Sequence, residues 1–502
     1  MNQHLEKINE TMELFEKYKH AVCVLQYDLE TICPREGMAD QGETIAFFSN
    51  ESFKLIKNEE FEGHVKAAYE EMDESWDSFD RALITDLYRG ILKNSKITPE
   101  MNLEFARTRQ KAFSAWTRAK EASDFSMFKE ELDQVTKMER TITSLQSEIP
   151  ELKQETPYDY LLDNYEEGIT AADLDRIFGE CKKRLVPLLK EIMESPKKIR
   201  TDFLSREVTE EQQKALAYKV LNYMNYDLNR GAMTTSEHPF TMELNKDDVR
   251  ITTHYYNDAF LSSLYSVIHE GGHGLFELNS PRKNWEHHVA NKTMGQHESV
   301  SRFYENIIGR SRAFSDVVYD MVYECMPHVV EDVTKDEFFE ALNLVTPSLI
   351  RTEADEFTYT FHVIIRYEIE KEIMNNGLSV SEIPALWKKK YKEYLGVEPT
   401  TDKEGCLQDM HWTDGYGYFP AYALGNMYNA MYYNRMKEEL NVEEEIRSGS
   451  LKNINAWMKE HVWEKADRQT PKEWISEITG RELCPDDFLD YIEKKYRKIY
   501  EL

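Results

Sequence analysis

The sequence predicts a predominantly helical, all-α fold with one small β element, and three observations carry that prediction. Amphipathic runs at helical spacing fill most of the chain. Helix breakers are scarce, with 20 Gly and 15 Pro in 502 residues. One stretch alone, DVRITTHYY at residues 248–256, alternates β-branched and aromatic residues as a strand does.

In chain order, residues up to about 230 read as helices with charged faces, KEELDQVTKMERTITSLQSEI at 129–149 being typical. The strand follows. NDAFLSSLYSVI at 257–268 then places Phe260, Leu261, Leu264, Val267 and Ile268 at helical spacing and runs into HEGGHGLFE. A second helix starts at Met294 in MGQHESVSRFYENIIGRSRAF. A third is expected between Thr346, a candidate N-cap followed by Pro347, and a stop at Asn376–Gly377. GCLQDMHWTDGYGYFPAY at 405–422 reads as a loop rich in glycine and aromatics, the kind of segment that lines sites. There is no linker-like composition and no internal repeat, so residues 1–502 are expected to form a single domain.

Charge narrows the function. Sixty-two Lys and Arg against 92 Asp and Glu give a net charge of -30, which argues against nonspecific binding to nucleic acid or to an anionic membrane. The charged N-terminus does not resemble a secretion signal, and no apolar run is long enough to span a bilayer. Six cysteines occur singly, as expected of reduced thiols in a cytoplasmic protein.

The chemistry concentrates in HEGGH. His269 and His273 stand one helical turn apart, so both imidazoles project from one face and reach one metal ion. Glu270 lies beside that face. This is the HExxH logic of zinc peptidases, in which two histidines ligate and the glutamate acts as general base. A catalytic site needs a third protein ligand, and the helix beginning at Met294 offers Glu298, with His297 about a third of a turn away as the rival. Glu305 and Asn306 are either partners of the ligand imidazoles or ordinary helix-surface polar groups. Gly271, Gly272 and Gly274 each cost a helix about 1 kcal/mol relative to alanine, which implies that a neighbouring backbone needs the room. The alternative is that GGHG forms a flexible turn.

For substrate, Arg351 in IRTEAD is the candidate for reading a free carboxylate, unless it pairs with Asp355. Arg250 either helps to place substrate or holds Asp248. His238 is a cleft candidate without a role. His411, Tyr418 and Tyr422 are candidate oxyanion donors or plain aromatic packing. DVRITTHYY itself is expected to offer an edge to an extended peptide.

HEGGH with HESVSR, HPF at 238–240, DVRIT at 248–252, IRTEAD at 350–355 and GCLQDMHW at 405–412 occur together in this order, and YDLETICP at 27–34 opens the chain. In these motifs the sequence resembles the carboxypeptidase Taq family over nearly its whole length. The resemblance implies an HEXXH, zincin-like metallocarboxypeptidase, helical, with a deep cleft and a homodimeric state. It implies His269, His273 and Glu298 as ligands of one zinc ion per chain, with cobalt or manganese able to replace it, and Glu270 as the catalytic base. Its substrates would be peptides with a free C-terminus. Two positions depart from the family pattern: Val300 stands where glutamine is usual, and Tyr27 where tryptophan is common.

Among rivals, an aminopeptidase is disfavoured because GAMTTSE at 231–237 lacks the glutamate of the GAMEN string. A helical oligopeptidase would share the metal site without a carboxylate clamp. A noncatalytic scaffold would leave Glu270 idle and would call for a fourth protein ligand.

Overall fold

The computed structural model describes residues 2–289 and 293–502, and in them helix follows helix, interrupted by one three-stranded sheet. The main core draws its buried side chains from Phe105 through to Tyr500. A smaller core lies beneath α1 (Gln3–Thr31), α3 (Glu59–Glu71) and α4 (Ser78–Asn94), with Leu5, Ile8, Val65 and Ile84 at its centre. Between α1 and α3 runs α2 (Met38–Ile56), an amphipathic helix with no buried residue. Among the described residues no helix is long and apolar enough to cross a membrane.

The sheet contains β1 (Gly231–Thr235), β2 (Thr241–Asn245) and β3 (Asp248–Thr253), in the order β1-β3-β2. β3 is the strand that the alternation predicts. β1 pairs with it in parallel and β2 antiparallel, so β3 has neighbours on both sides and no edge to offer a peptide. This corrects the expectation for DVRITTHYY: the outer strands are β1 and β2, and Thr241 and Glu243 of β2 line the cleft. β1 and β2 escape a pattern search because each is five residues long, and neither is built of the β-branched and aromatic residues that mark β3.

β2 and β3 pack on the helix Phe260–Asn279, which carries HEGGH without a break. Gly272 accounts for part of its glycine content. A Cβ there would lie 2.7 Å from the Ser301 Cα, so the helix Met294–Arg302 crosses at a distance that only glycine allows. No turn forms at GGHG, and the one-face geometry of the histidines is kept.

The helix Met294–Arg302 starts with Thr293 capping the Gln296 N–H at 3.3 Å and with the buried Glu166 carboxylate accepting from the Gly295 N–H. It then departs from expectation. Residues Phe303–Ile308 form a π turn, marked by the Gly309 N–H donating to the Tyr304 carbonyl at 2.8 Å. Such wide turns gather at functional sites because they re-aim side chains.

The helix expected from Thr346 begins only at Tyr359 and runs to Asn376, where Gly377 closes it with φ 75°. Residues 346–358 form no α-helix, only a 3-10 turn at Arg351–Glu353, and Asp355 bridges them, accepting from the Thr346 N–H at 2.8 Å and the Thr358 N–H at 2.9 Å. Thr-Pro is therefore a false start, and the helix begins after Thr358, whose N–H the Asp355 side chain holds.

Candidate metal centre and cleft

His269, His273 and Glu298 come together, each offering one ligand atom, with those atoms within 4.8 Å of one another. Each is held by a partner that leaves its free atom pointing inward. The Nδ1 of His269 lies 2.8 Å from Glu305 Oε2, so a proton on Nδ1 leaves the Nε2 lone pair available. The Nδ1 of His273 is hydrogen-bonded to Nδ1 of His297, whose Nε2 lies 2.7 Å from Glu277 Oε1. With the His297 proton directed at Glu277, His297 accepts from the His273 Nδ1–H and again frees Nε2. That nitrogen faces Glu298 Oε1 at 3.8 Å, while Glu298 Oε2 accepts from Arg302 Nε at 2.9 Å. His297, the rival ligand in the sequence, thus stands behind His273, and Glu305 stands behind His269.

Electrostatics follow the same plan. Burial, reinforced by the neighbouring His297, His269 and Arg302, pushes His273 well below the ordinary imidazole range, so its ring is neutral as ligation requires. Burial opposes a charge on His269 too, but the hydrogen bond and charge of Glu305 outweigh it and raise the group to about 9. That proton is the one a bound cation would displace. Two imidazoles and one carboxylate, with no fourth protein ligand among the described residues, fit a divalent ion that keeps an open coordination position.

Glu270 is buried beside this set. Thr241 Oγ1, on β2, lies 2.6 Å from Glu270 Oε2 and 2.9 Å from its main-chain carbonyl. Burial raises the carboxyl above its usual range, against the charge of His269 and the Thr241 hydrogen bond. A carboxylate so raised, with one oxygen anchored and the other free, suits proton transfer near neutral pH. Thr241 leaves no pattern in the sequence because the contact depends on how β2 lies against the helix. The adjacent HPF motif is the only local signal.

The centre opens into a cleft of about 1170 Å³, large enough for several residues of an extended peptide. Arg351, Tyr418 and Tyr422 line it, as do Arg302, Arg310 and Tyr359. Arg351 does not pair with Asp355. Its Nε and Nη2 donate to Asp409 Oδ1 at 3.1 and 2.9 Å, and its Nη1 lies 3.0 Å from the Tyr359 hydroxyl. Asp409 also receives Arg366, and the two guanidiniums hold its carboxyl below the ordinary range despite burial. His411 stands behind the wall: its ring packs on Tyr418 and Phe419, and its Nε2 lies 3.4 Å from the Tyr422 hydroxyl. Burial drives it down to about 4, so it is neutral. Arg250 forks onto Asp248 at 2.9 and 2.7 Å and lies over the Tyr27 ring, outside the cleft wall. His238 is exposed, and Pro239 and Phe240 of the HPF motif line the cleft in its place. Asn306 turns its carbonyl oxygen to Arg310 Nε at 3.2 Å, not to a ligand imidazole. Val300 is fully buried in the main core.

Residues 7–496 match the carboxypeptidase Taq (M32) metallopeptidase family. The chain is similar to carboxypeptidase 1 of Bacillus subtilis (strain 168), at 37% identity over 97% of this chain and 96% of that one. It is also similar to thermostable carboxypeptidase 1 of Pyrococcus furiosus, at 33% identity over 97% and 99%. Among solved structures, the M32 carboxypeptidase from Deinococcus radiodurans R1 superposes with a TM-score of 0.94 at 29% identity, covering all of both chains. The chain belongs to the carboxypeptidase Taq (M32) family, and by that membership it is a metallocarboxypeptidase, a peptide hydrolase.

Proposed function

We propose that the protein removes single residues from the free C-terminus of peptides, with His269, His273 and Glu298 holding one divalent ion and Glu270 acting as general base. The observation that carries this reading is the convergence of three free ligand atoms beside an anchored glutamate in a peptide-sized cleft. A divalent ion at that point supplies Lewis-acid polarisation of the peptide carbonyl and acidification of a water. The donor set suits zinc, one ion per chain, and cobalt or manganese fit the same atoms.

The side chains divide the remaining work. Thr241 fixes Glu270 Oε2, which leaves Oε1 to take the proton of the attacking water. As the C–N bond breaks, Glu270 returns that proton to the leaving amine nitrogen. Tyr418 and Tyr422 stay protonated because burial raises their phenols, and they donate to the oxygen on which negative charge develops. Glu305 and the His297–Glu277 pair hold the two imidazoles in the required tautomer. Arg351 shapes the carboxylate end of the cleft together with Tyr359. His238, Arg250 and His411 have no direct contact with substrate in this scheme.

The whole chain, residues 1–502, acts as one catalytic domain. The apolar surface of α2, where Phe47 and Phe53 are exposed, supports the homodimer that the family resemblance implies. Light scattering on the wild type and on a Phe47→Glu variant tests it, since a dimer built on this face dissociates. All six cysteines are free, which supports a reducing, cytoplasmic setting. The activity itself is tested with one short peptide as free acid and as C-terminal amide. Stepwise shortening of the acid alone, abolished by a chelator, is the expected result. Internal cleavage of both forms overturns the carboxypeptidase reading.

A further inference from the structure

A carboxypeptidase must hold an anion one residue beyond the bond it cleaves, a step of about 3.8 Å between Cα atoms. Three arginines line the cleft, and they differ in what they have left to give. Arg351 has no free nitrogen: Nε and Nη2 go to Asp409 and Nη1 to Tyr359. Arg310 gives Nε to Asn306 at 3.2 Å and Nη1 to the Leu342 carbonyl at 2.7 Å, which leaves one nitrogen.

Arg302 is the exception. Its Nε donates to Glu298 Oε2 at 2.9 Å, and among the described residues neither Nη1 nor Nη2 has a hydrogen-bond partner. The residue is 7% exposed, and its guanidinium lies 4.0 Å from the Tyr359 ring centroid, which fixes the plane of the fork. Two charged donors held at the wall of a cleft without a protein acceptor are open to a ligand, and a carboxylate can accept from both at once.

We infer that Arg302 Nη1 and Nη2 bind the C-terminal carboxylate of the peptide as a bidentate pair, and that Arg351, closed onto Asp409, positions the wall behind it. Arg302 and Glu298 lie one turn apart on the same helix and are bonded to each other. The anion site and one candidate metal ligand therefore share one rigid element, which holds the substrate carboxylate at a fixed remove from the ion. The inference rests on the carboxypeptidase reading above.

The test uses the metal-loaded full chain and an N-blocked dipeptide substrate. N-acetylphenylalanine and its carboxamide serve as competitive inhibitors, and the metal content of each variant is measured. In wild type the acid is expected to bind about 100-fold more tightly than the amide, the scale of a charge-assisted bidentate pair. Arg302→Gln should bring that ratio close to one and raise KM by a similar factor, with metal content unchanged. Arg302→Lys, a point charge without a fork, should restore part of the preference, and Arg351→Gln should keep most of it. If Arg302→Gln keeps the acid preference, or loses activity only in step with lost metal, Arg302 is a holder of Glu298 and the inference fails. Should Arg302→Gln not fold, the Lys variant decides, because an undiminished ratio there also overturns it. If wild type releases no C-terminal residue, the carboxypeptidase reading fails and this assignment falls with it.

Discussion

Two regions of the same cleft use similar residues in opposite ways. At the metal end, His269, His273, Glu298 and Glu270 each have one atom tied to a neighbour and one left over, and the leftover atoms face a common space. At the Arg351 end, Arg351 and Arg366 converge on Asp409, with Gln408 and Tyr359 taking up further donors. One region keeps polar capacity in reserve, and the other has used it up. The contrast separates groups that act from groups that hold, which residue type alone does not do: by type, Arg351 and Arg302 are identical.

The largest effect that sharpens this contrast is expected for Glu270→Gln. The variant keeps the shape and the Thr241 contact but loses the proton acceptor, so kcat should fall by about 10⁴ with metal content unchanged. Retained turnover would break the assignment of Glu270 to the acting set. Next is Asp409→Asn, which removes the carboxylate that the buried Arg366 and Arg351 share. It should cost about 3–5 kcal/mol of folding stability, read from urea midpoints, and a loss of activity at undiminished stability would move Asp409 into the acting set.

A third, smaller effect belongs to Glu166, buried at the start of the Glu298 helix and raised by burial to about 8 against the hydrogen bonds from Gly295, Tyr428 and Thr293. Its folded-state pKa lies above the unfolded value of 4.5. The stability it contributes is therefore fully present below about pH 4.5 and is lost as pH rises through about 8. Glu166→Gln should remove that dependence, changing the wild-type minus variant difference by about tenfold in the folding constant per pH unit within the window. A flat difference would show that this carboxyl is already ionised in the fold. Smallest is Thr241→Val, which frees the Glu270 carboxylate to rotate. We expect kcat to fall by about 5–10-fold with KM unchanged, the loss of one neutral-to-charged hydrogen bond.

Much of the proposed acting set is legible in the sequence, because the candidate ligands share helix faces and a helix announces itself by period. His269 and His273 are fixed by one turn of one helix, and Glu298 by the next amphipathic run. The holding set is less legible. Thr241 reaches Glu270 only through the placement of β2, and Glu277 reaches His273 only through His297 on another helix. Asp409 and Arg351 are far apart in the chain and meet because residues 346–358 form no α-helix, although Thr346–Pro347 imitates a helix start. Local signals report what the backbone does alone, and these contacts depend on what it packs against.

Gly272 has a consequence for ion choice. Because the helices bearing His273 and Glu298 meet at backbone distance there, neither can retreat from the other without opening the core, and neither can approach further. The span available to the ion is set by main chain against main chain, which is far stiffer than any side-chain torsion. The radius of any cation held by the proposed ligands would thus be decided in part by a residue with no side chain and no charge.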